Sequence, residues 1–181
     1  MSSEPKVSQF LANFKGGARA NRFRVMIDFP QGIGGNQVAR KLAFSCKAAK
    51  IPSSTIGEAP ASYMGRIIKF PGDMTFENWT ITVYNDNDFS VRDAMTQWVD
   101  KMLGHESNVA SSGWDNSDTY MKTATVYQYD RSDNILKTYT VQGMFPTIVA
   151  EIQLDYSTND QIQEFDVTFA ISSWKLDGVT T

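Results

Sequence analysis

From residue 79 the chain alternates, with Trp79, Ile81 and Val83 on one side and Thr80, Thr82 and Tyr84 on the other. A period of two marks a strand with one buried face and one wet face. Gly72-Asp73 upstream has the composition of a tight turn. Asn85-Asp86-Asn87-Asp88 ends the run, and then the period changes. Val91, Met95, Trp98 and Met102 recur at helical spacing, with Leu103 extending the stripe and Gly104 placed as a stop. Ser90 stands where an N-cap belongs, and Asp93 is its capping-box partner near the positive end of the helix dipole. Strand, acidic turn and one amphipathic helix form the centre of the pattern, with the apolar stripe packed on a sheet.

The remaining segments are mostly of period two. Phe23, Val25, Ile27 and Phe29 alternate against Arg22, Arg24, Met26 and Asp28 as a first strand. After a loop at Pro30–Asn36, Leu42, Phe44 and Cys46 share one side of Val38–Ala48, which predicts a second strand in a hairpin with the first. Residues 49–62 hold Pro52 and Pro60 and read as a long loop, a length usually kept for interaction. Arg66–Phe70 is a short strand. Glu106–Asp118 is a polar surface loop with Trp114 as its exposed aromatic. Tyr120–Tyr129 and Ile135–Gln142 form a hairpin around Asp130–Asn134, and Gly143–Thr147 breaks the alternation. Ile152, Leu154 and Tyr156 oppose Glu151, Gln153 and Asp155 as a further strand. Ile162, Phe165, Val167, Phe169 and Ile171 face inward in the last one, with Glu164, Asp166 and Thr168 outward. Trp174–Thr181 has no evident place.

Residues 1–20 are polar apart from Phe10–Phe14 and form a flexible arm, followed by one domain over 21–175 and a C-terminal tail over 176–181. Seven or eight strands and one α-helix predict a mainly β fold, an antiparallel β-sandwich or open barrel. Its edge strands lack the Lys or Pro that blunt such edges, so a neighbour is expected to complete the sheet.

Composition narrows the function. The 181 residues carry a net charge of −3, and the pI near 5.1 argues against a general nucleic-acid binder, although Lys15, Arg19, Arg22 and Arg24 cluster early. Cys46 is alone, so no intramolecular disulfide forms, as suits a reducing compartment. Met1–Lys6 lacks the apolar core of a secretory signal, and no apolar run approaches the ~20 residues that span a membrane. A soluble protein made in a cytoplasm is expected. Catalytic chemistry is thin: one His, His105, follows the helix, and Cys46 reads as a small buried apolar group. Gly32-Ile33-Gly34-Gly35 fits neither phosphate-loop pattern and no helix is expected after it. Asp86 and Asp88 open like a calcium loop but lack its Gly and closing Glu. Glu151 with Asp155, and Glu164 with Asp166, read as solvated strand faces. No enzyme, cofactor or metal site is expected.

Several segments recur together in a known family. Asn21-Arg22-Phe23-Arg24-Val25, Lys47 with Ile51-Pro52, Tyr63-Met64-Gly65-Arg66, Gly72-Asp73-Met74-Thr75-Phe76 with Trp79-Thr80, Asn85-Asp86, Arg92, Trp98, Gly143-Met144-Phe145-Pro146, and Asn159–Ile162 with Phe165, Val167 and Phe169 stand in order between about residues 20 and 175. In this the chain resembles the tail tube proteins of contractile-tailed, myovirus-type bacteriophages. The resemblance implies the fold shared by tail tubes and injection-system tubes, with the inner sheet contributing to a ring-wide β-barrel. It implies hexameric rings stacked into a tube inside a contractile sheath, DNA leaving through the bore without specific binding, and residence in the virion. Sheath, baseplate, tail-terminator and tape measure proteins are the implied partners. Combined with the alternation, it suggests Glu151, Asp155, Glu164 and Asp166 as lumen-facing acids that repel phosphates. Phe10, Leu11, Phe14, Ile51, Pro52, Ile56 and Trp174 are the candidates for contacts between rings. The alternatives are a baseplate tube initiator or cap, the tube protein of a phage-derived injection system and, from another class, a β-sandwich carbohydrate-binding module using Trp114 and surface tyrosines.

Overall fold

A computed structural model describes residues 7–14, 17–157 and 159–177. In chain order the elements are α1 (Val7–Phe14), β1 (Phe23–Ile27), α2 (Gly35–Ser45), β2 (Cys46–Ala49), β3 (Ser54–Tyr63), β4 (Arg66–Phe76), β5 (Trp79–Tyr84), α3 (Ser90–Met102), the single turn α4 (Ser117–Tyr120), β6 (Lys122–Tyr129), β7 (Ile135–Val149), β8 (Glu164–Ala170) and β9 (Ser173–Asp177). Seven strands make one antiparallel sheet in the order β1-β6-β7-β8-β5-β2, with β9 also on β7, while β3 and β4 pair only with each other.

The fifteen-residue β7 holds this architecture together. Its first half pairs with β6 and β9 and its second half with β8. Phe145 is opposite Ala170 and Gln142 is opposite Ser173, so β8 and β9 run consecutively along β7. Both partners bend at the same level. Gly143 takes φ +62°, Ser172 N–H donates to Gln142 O at 3.1 Å, and the register against β6 shifts there. The bend divides the sheet into β1-β6-β7-β9 and β7-β8-β5-β2, two layers around one core. The expected break at Gly143–Thr147 is therefore a bulge inside a continuing strand, the usual device for turning a sheet corner.

Val25, Ile27, Ala124, Val126 and Val141 from the first layer meet Trp79, Ile81, Val83, Phe165, Val167 and Phe169 from the second, all buried. Two helices cover the core where one was expected. The α3 stripe sits as the spacing predicts: Val91, Met95 and Trp98 are buried, and Trp98 Nε1–H donates to Tyr120 O at 3.1 Å. The cap differs. Phe89 occupies the N-cap in a left-handed conformation and no side chain caps the helix; instead Asp88 accepts the Ser90 N–H at 3.3 Å.

Other expectations fail for identifiable reasons. The strand read over Val38–Ala48 is mostly α2, which follows directly on the Gly32–Gly35 loop. Its buried residues Val38 and Leu42 are four apart, and Phe44 is 81% exposed, so the apparent period of two was a coincidence of spacing. β2 pairs with β5 rather than with β1. The 49–62 loop and the Gly72-Asp73 turn dissolve into the β3–β4 hairpin, which escapes a burial pattern because both strands are exposed up to Thr75. Residues 151–156 form no strand: both edges of β8 are already taken, and Leu154 and Tyr156 stand in solvent. Trp114 is buried under Lys101, whose ammonium lies 5.4 Å from the ring centroid and donates to Gly32 O at 3.2 Å. Trp174 is not in a homeless tail; β9 carries it onto β7, where it packs 6.2 Å from Tyr139.

Candidate assembly interface

Among the described residues no polar or charged side chain is buried, and no group of three or more His, Cys, Asp or Glu is arranged to hold a metal. None of the described helices is long and apolar enough to cross a membrane. Burial pushes the Cys46 thiol up to about 11, which makes it a poor nucleophile. The unusual features are all surfaces.

The first is the wet face of the second layer. Alternation along β5 and β8 brings Thr80 against Thr168, Thr82 against Asp166 and Tyr84 against Glu164. The pairs are linked across the strands: Thr80 and Thr168 hydroxyls lie 3.1 Å apart, and Thr82 donates to Asp166 at 2.7 Å. Lys47 from β2 pairs with Glu164, which raises the lysine's pKa, and its ammonium lies 5.6 Å from the Tyr84 ring centroid. One cation against two carboxylates leaves this hydroxyl-rich face mildly anionic. Among the described residues both its lateral edges are open: β2 pairs only with β5, and Phe145–Val149 of β7 only with β8.

The second is the β3–β4 hairpin. Register from the tip puts Tyr63, Arg66, Ala61, Ile68, Ala59 and Phe70 on one side, and Ser62, Ile67, Pro60, Lys69, Glu58 and Pro71 on the other. Lys69 and Glu58 pair at 2.5 Å on the latter. The former carries Tyr63, Ala61, Ile68, Ala59 and Phe70, all exposed, with Arg66 at the tip. The third surface is α1, whose Phe10 and Phe14 rings stack at 4.9 Å and remain more than half exposed. The fourth is a groove of about 890 Å³ between the 152–163 segment and the ends of β2, β5 and β8.

Of the suggested lumenal acids, the fold brings Glu164 and Asp166 onto one wet face. Glu151 and Asp155 lie in the segment after β7, so the expected second acidic row is absent; Asp155 accepts the Ser157 N–H at 2.9 Å, which holds its carboxyl below the usual range. Of the suggested contact residues, Phe10, Phe14, Ile51 and Ile56 are exposed, whereas Pro52 is buried and Trp174 packs against the subunit's own core. The Leu11 side chain lies outside the described residues. The hairpin tip and Lys47 were not singled out as site residues. The signal that could have found the hairpin was its matched apolar positions on either side of Met64-Gly65.

Open sheet edges, a wet polar face and an exposed hairpin on a mainly β subunit are the features of a structural building block. The chain belongs to the phage tail tube protein family, whose sequence profile matches residues 18–177. It is 33% identical over 159 residues to tail tube protein gp19 of Enterobacteria phage T4, covering 87% of this chain and 91% of that protein. It is 32% identical over 147 residues to the tail tube protein of Serratia phage KSP90, covering 81% of each. The fold recurs in a sheath–tube complex of an extracellular contractile injection system (TM-score 0.62, 16% identity, 97% of this chain and 100% of that one). It also recurs in the baseplate of the anti-feeding prophage (TM-score 0.65, 11% identity, 91% and 98%). The protein is thus a non-enzymatic structural component of a phage tail, as its resemblance to the contractile-tail type implied.

Proposed function

We propose that six copies close into a ring by joining the free β2 edge of one subunit to the free Phe145–Val149 edge of the next. The four strands β7-β8-β5-β2 then become part of one continuous barrel, and closure removes the edges that a lone subunit leaves open. The threonine and carboxylate face lines the bore. Rings stack into the inner tube of a contractile tail, and DNA passes through a wall that offers phosphates hydroxyls and a net negative charge rather than a cationic track. Sheath, baseplate, terminator and tape measure proteins are the partners such a tube requires. The observation that carries this reading is the pairing of a wet face with two unpaired edges on the same four strands.

The test is electron microscopy of the full chain, with Ala48→Cys and Ile148→Cys combined in a Cys46→Ser background for oxidative cross-linking. Rings or hollow filaments, and a covalent ladder ending at six, are expected. Isolated monomers at high concentration would end the proposal. The carbohydrate-module alternative drew on Trp114 and surface tyrosines, and of these Trp114 is buried.

A further inference from the structure

The two edges that a ring would join are short, and each is interrupted. β2 begins where α2 ends, at Ser45–Cys46, so a helix bounds it on one side. On the other, Lys50 O accepts the Trp79 Nε1–H at 2.6 Å, and Pro52 is buried. Four residues are left, and their register against β5 slips. Cys46 is opposite Val83 and Ala48 opposite Thr82, so Lys47 is an extra residue. Its ammonium reaches back over the Tyr84 ring to pair with Glu164, which holds the bulge against the subunit's own sheet.

The Phe145–Val149 edge is built in the same way. Before Phe145, β7 is occupied by β6 and β9. After Val149, Ala150 N–H donates to Asp166 O at 2.8 Å, and Ala150 O accepts from the Arg92 guanidinium at 3.0 Å. Between these limits Pro146 is opposite Phe169 and Ile148 opposite Thr168, so Thr147 is the extra residue. Its hydroxyl donates to Thr168 O at 3.0 Å and ties the bulge inward. Pro146 has no N–H, and a proline in an edge strand turns its nitrogen to the open side. Bulges, lysine and proline are means by which exposed edges are kept from pairing. Both edges carry such devices, contrary to the expectation of unblunted edges.

Neither edge therefore presents an uninterrupted ladder to a neighbour. A bulge locally disrupts the ladder, which leaves Ala48–Ala49 on one edge and Ile148–Val149 on the other as regular steps. So few bonds do not offset the translational and rotational freedom lost when two copies join. A copy held at both edges at once loses that freedom only once. We infer that the Lys47 bulge and the Pro146-Thr147 step are brakes on lateral pairing, which keep copies apart until a closing ring, or a ring already formed, holds several together. This rests on the ring reading and adds the control of when rings form.

The test follows the full chain by light scattering, for the lag before assembly, and by native mass spectrometry, for intermediates. It compares wild type with a deletion of Lys47 and with Pro146→Val. The deletion places Cys46 next to Ala48 and removes the bulge, whereas Pro146→Val returns an N–H without changing charge. Circular dichroism checks that each variant folds. Wild type is expected to assemble after a lag that added filament fragments abolish, passing from monomer to closed ring without accumulating dimer. Each variant is expected to shorten the lag at least about tenfold and to accumulate open oligomers where wild type is monomeric. If the deletion does not fold, Pro146→Val decides alone. Either variant, folded and with the wild-type lag or a longer one, shows the irregularity to be neutral or a register key, and overturns the brake while leaving the ring intact. Wild type and variants that all stay monomeric, seeded or not, overturn the ring reading as well.

Discussion

Replacing Gly143 with alanine probes the corner on which the two layers depend. Gly143 sits at φ +62°, and a Cβ built there meets the Ser172 Oγ and lies 2.8 Å from the Ser172 Cβ. The left-handed backbone costs an L-residue about 1–2 kcal/mol. Displacing Ser172 also breaks the bond its hydroxyl donates to Gly143 O at 3.2 Å, a loss of about 0.5–1.5 kcal/mol. Restriction of the unfolded chain returns about 0.4–1 kcal/mol. The net loss is about 0.5–3 kcal/mol, which for a chain of this size lowers Tm by about 1–12 °C. Thermal unfolding of dilute full-length Gly143→Ala, followed by far-ultraviolet circular dichroism, measures it. Adding Ser172→Gly removes the steric part but not the backbone part, so Tm should recover only partly. A Gly143→Ala protein within about 1 °C of wild type would show that the corner needs neither a left-handed residue nor the close approach of Ser172.

Two further outcomes follow from the packing and from the carboxylates. Trp98→Ala should cost about 3–5 kcal/mol, because the side chain is fully buried, contacts Phe29 and Phe169 with ring centroids at 5.8 and 6.4 Å, and satisfies Tyr120 O; Trp98→Phe should retain more than half of that, and urea midpoints that fail to rank the two this way refute the packing. In acid, Asp88, Asp100, Asp130 and Asp155 act together. Their carboxyls are held below the ordinary value of 3.8, chiefly by the Lys41 ammonium, the His105 side chain, the Asn134 N–H and the Ser157 N–H respectively. A depressed folded pKa means that the stability from these bonds is complete above the unfolded value and is lost as pH falls through the folded one. The urea midpoint should be flat from pH 7 to about 5 and fall below about 4; a midpoint that rises on acidification contradicts the assignment.

The legible parts of the fold were those in which one stretch of chain fixes its own periodicity against a single core. β1, β5, β6, β8 and α3 are of this kind: their alternations and stripe correspond directly to buried Val25, Ile81, Val126, Val167 and Trp98. The wet side of β8 followed from the same alternation, which is why Glu164 and Asp166 could be paired on a face in advance. The misreadings occurred where spacing had two solutions or none. Leu42, Phe44 and Cys46 fit a strand until Val38 and Leu42 are seen to share the buried side of α2. The 151–156 alternation mimicked a strand, but the segment pairs with no strand: β8 has both edges taken, and 151–156 does not add to the open edges of β2 or β7.

The amino-acid sequence alone determined a β-rich domain, the inward residues of its central strands, the amphipathic helix between them and the resemblance to a family. Only the tertiary structure decided that β7 and the β8–β9 run bend together at Gly143 and Ser172, that Trp174 belongs to the core, and that the hairpin and groove lie at opposite ends of β5. The reason is physical: burial periodicity is a property of successive residues, whereas strand partners, open edges and the ends of the molecule are fixed by contacts between residues far apart in the chain, and one sequence carries no local record of them.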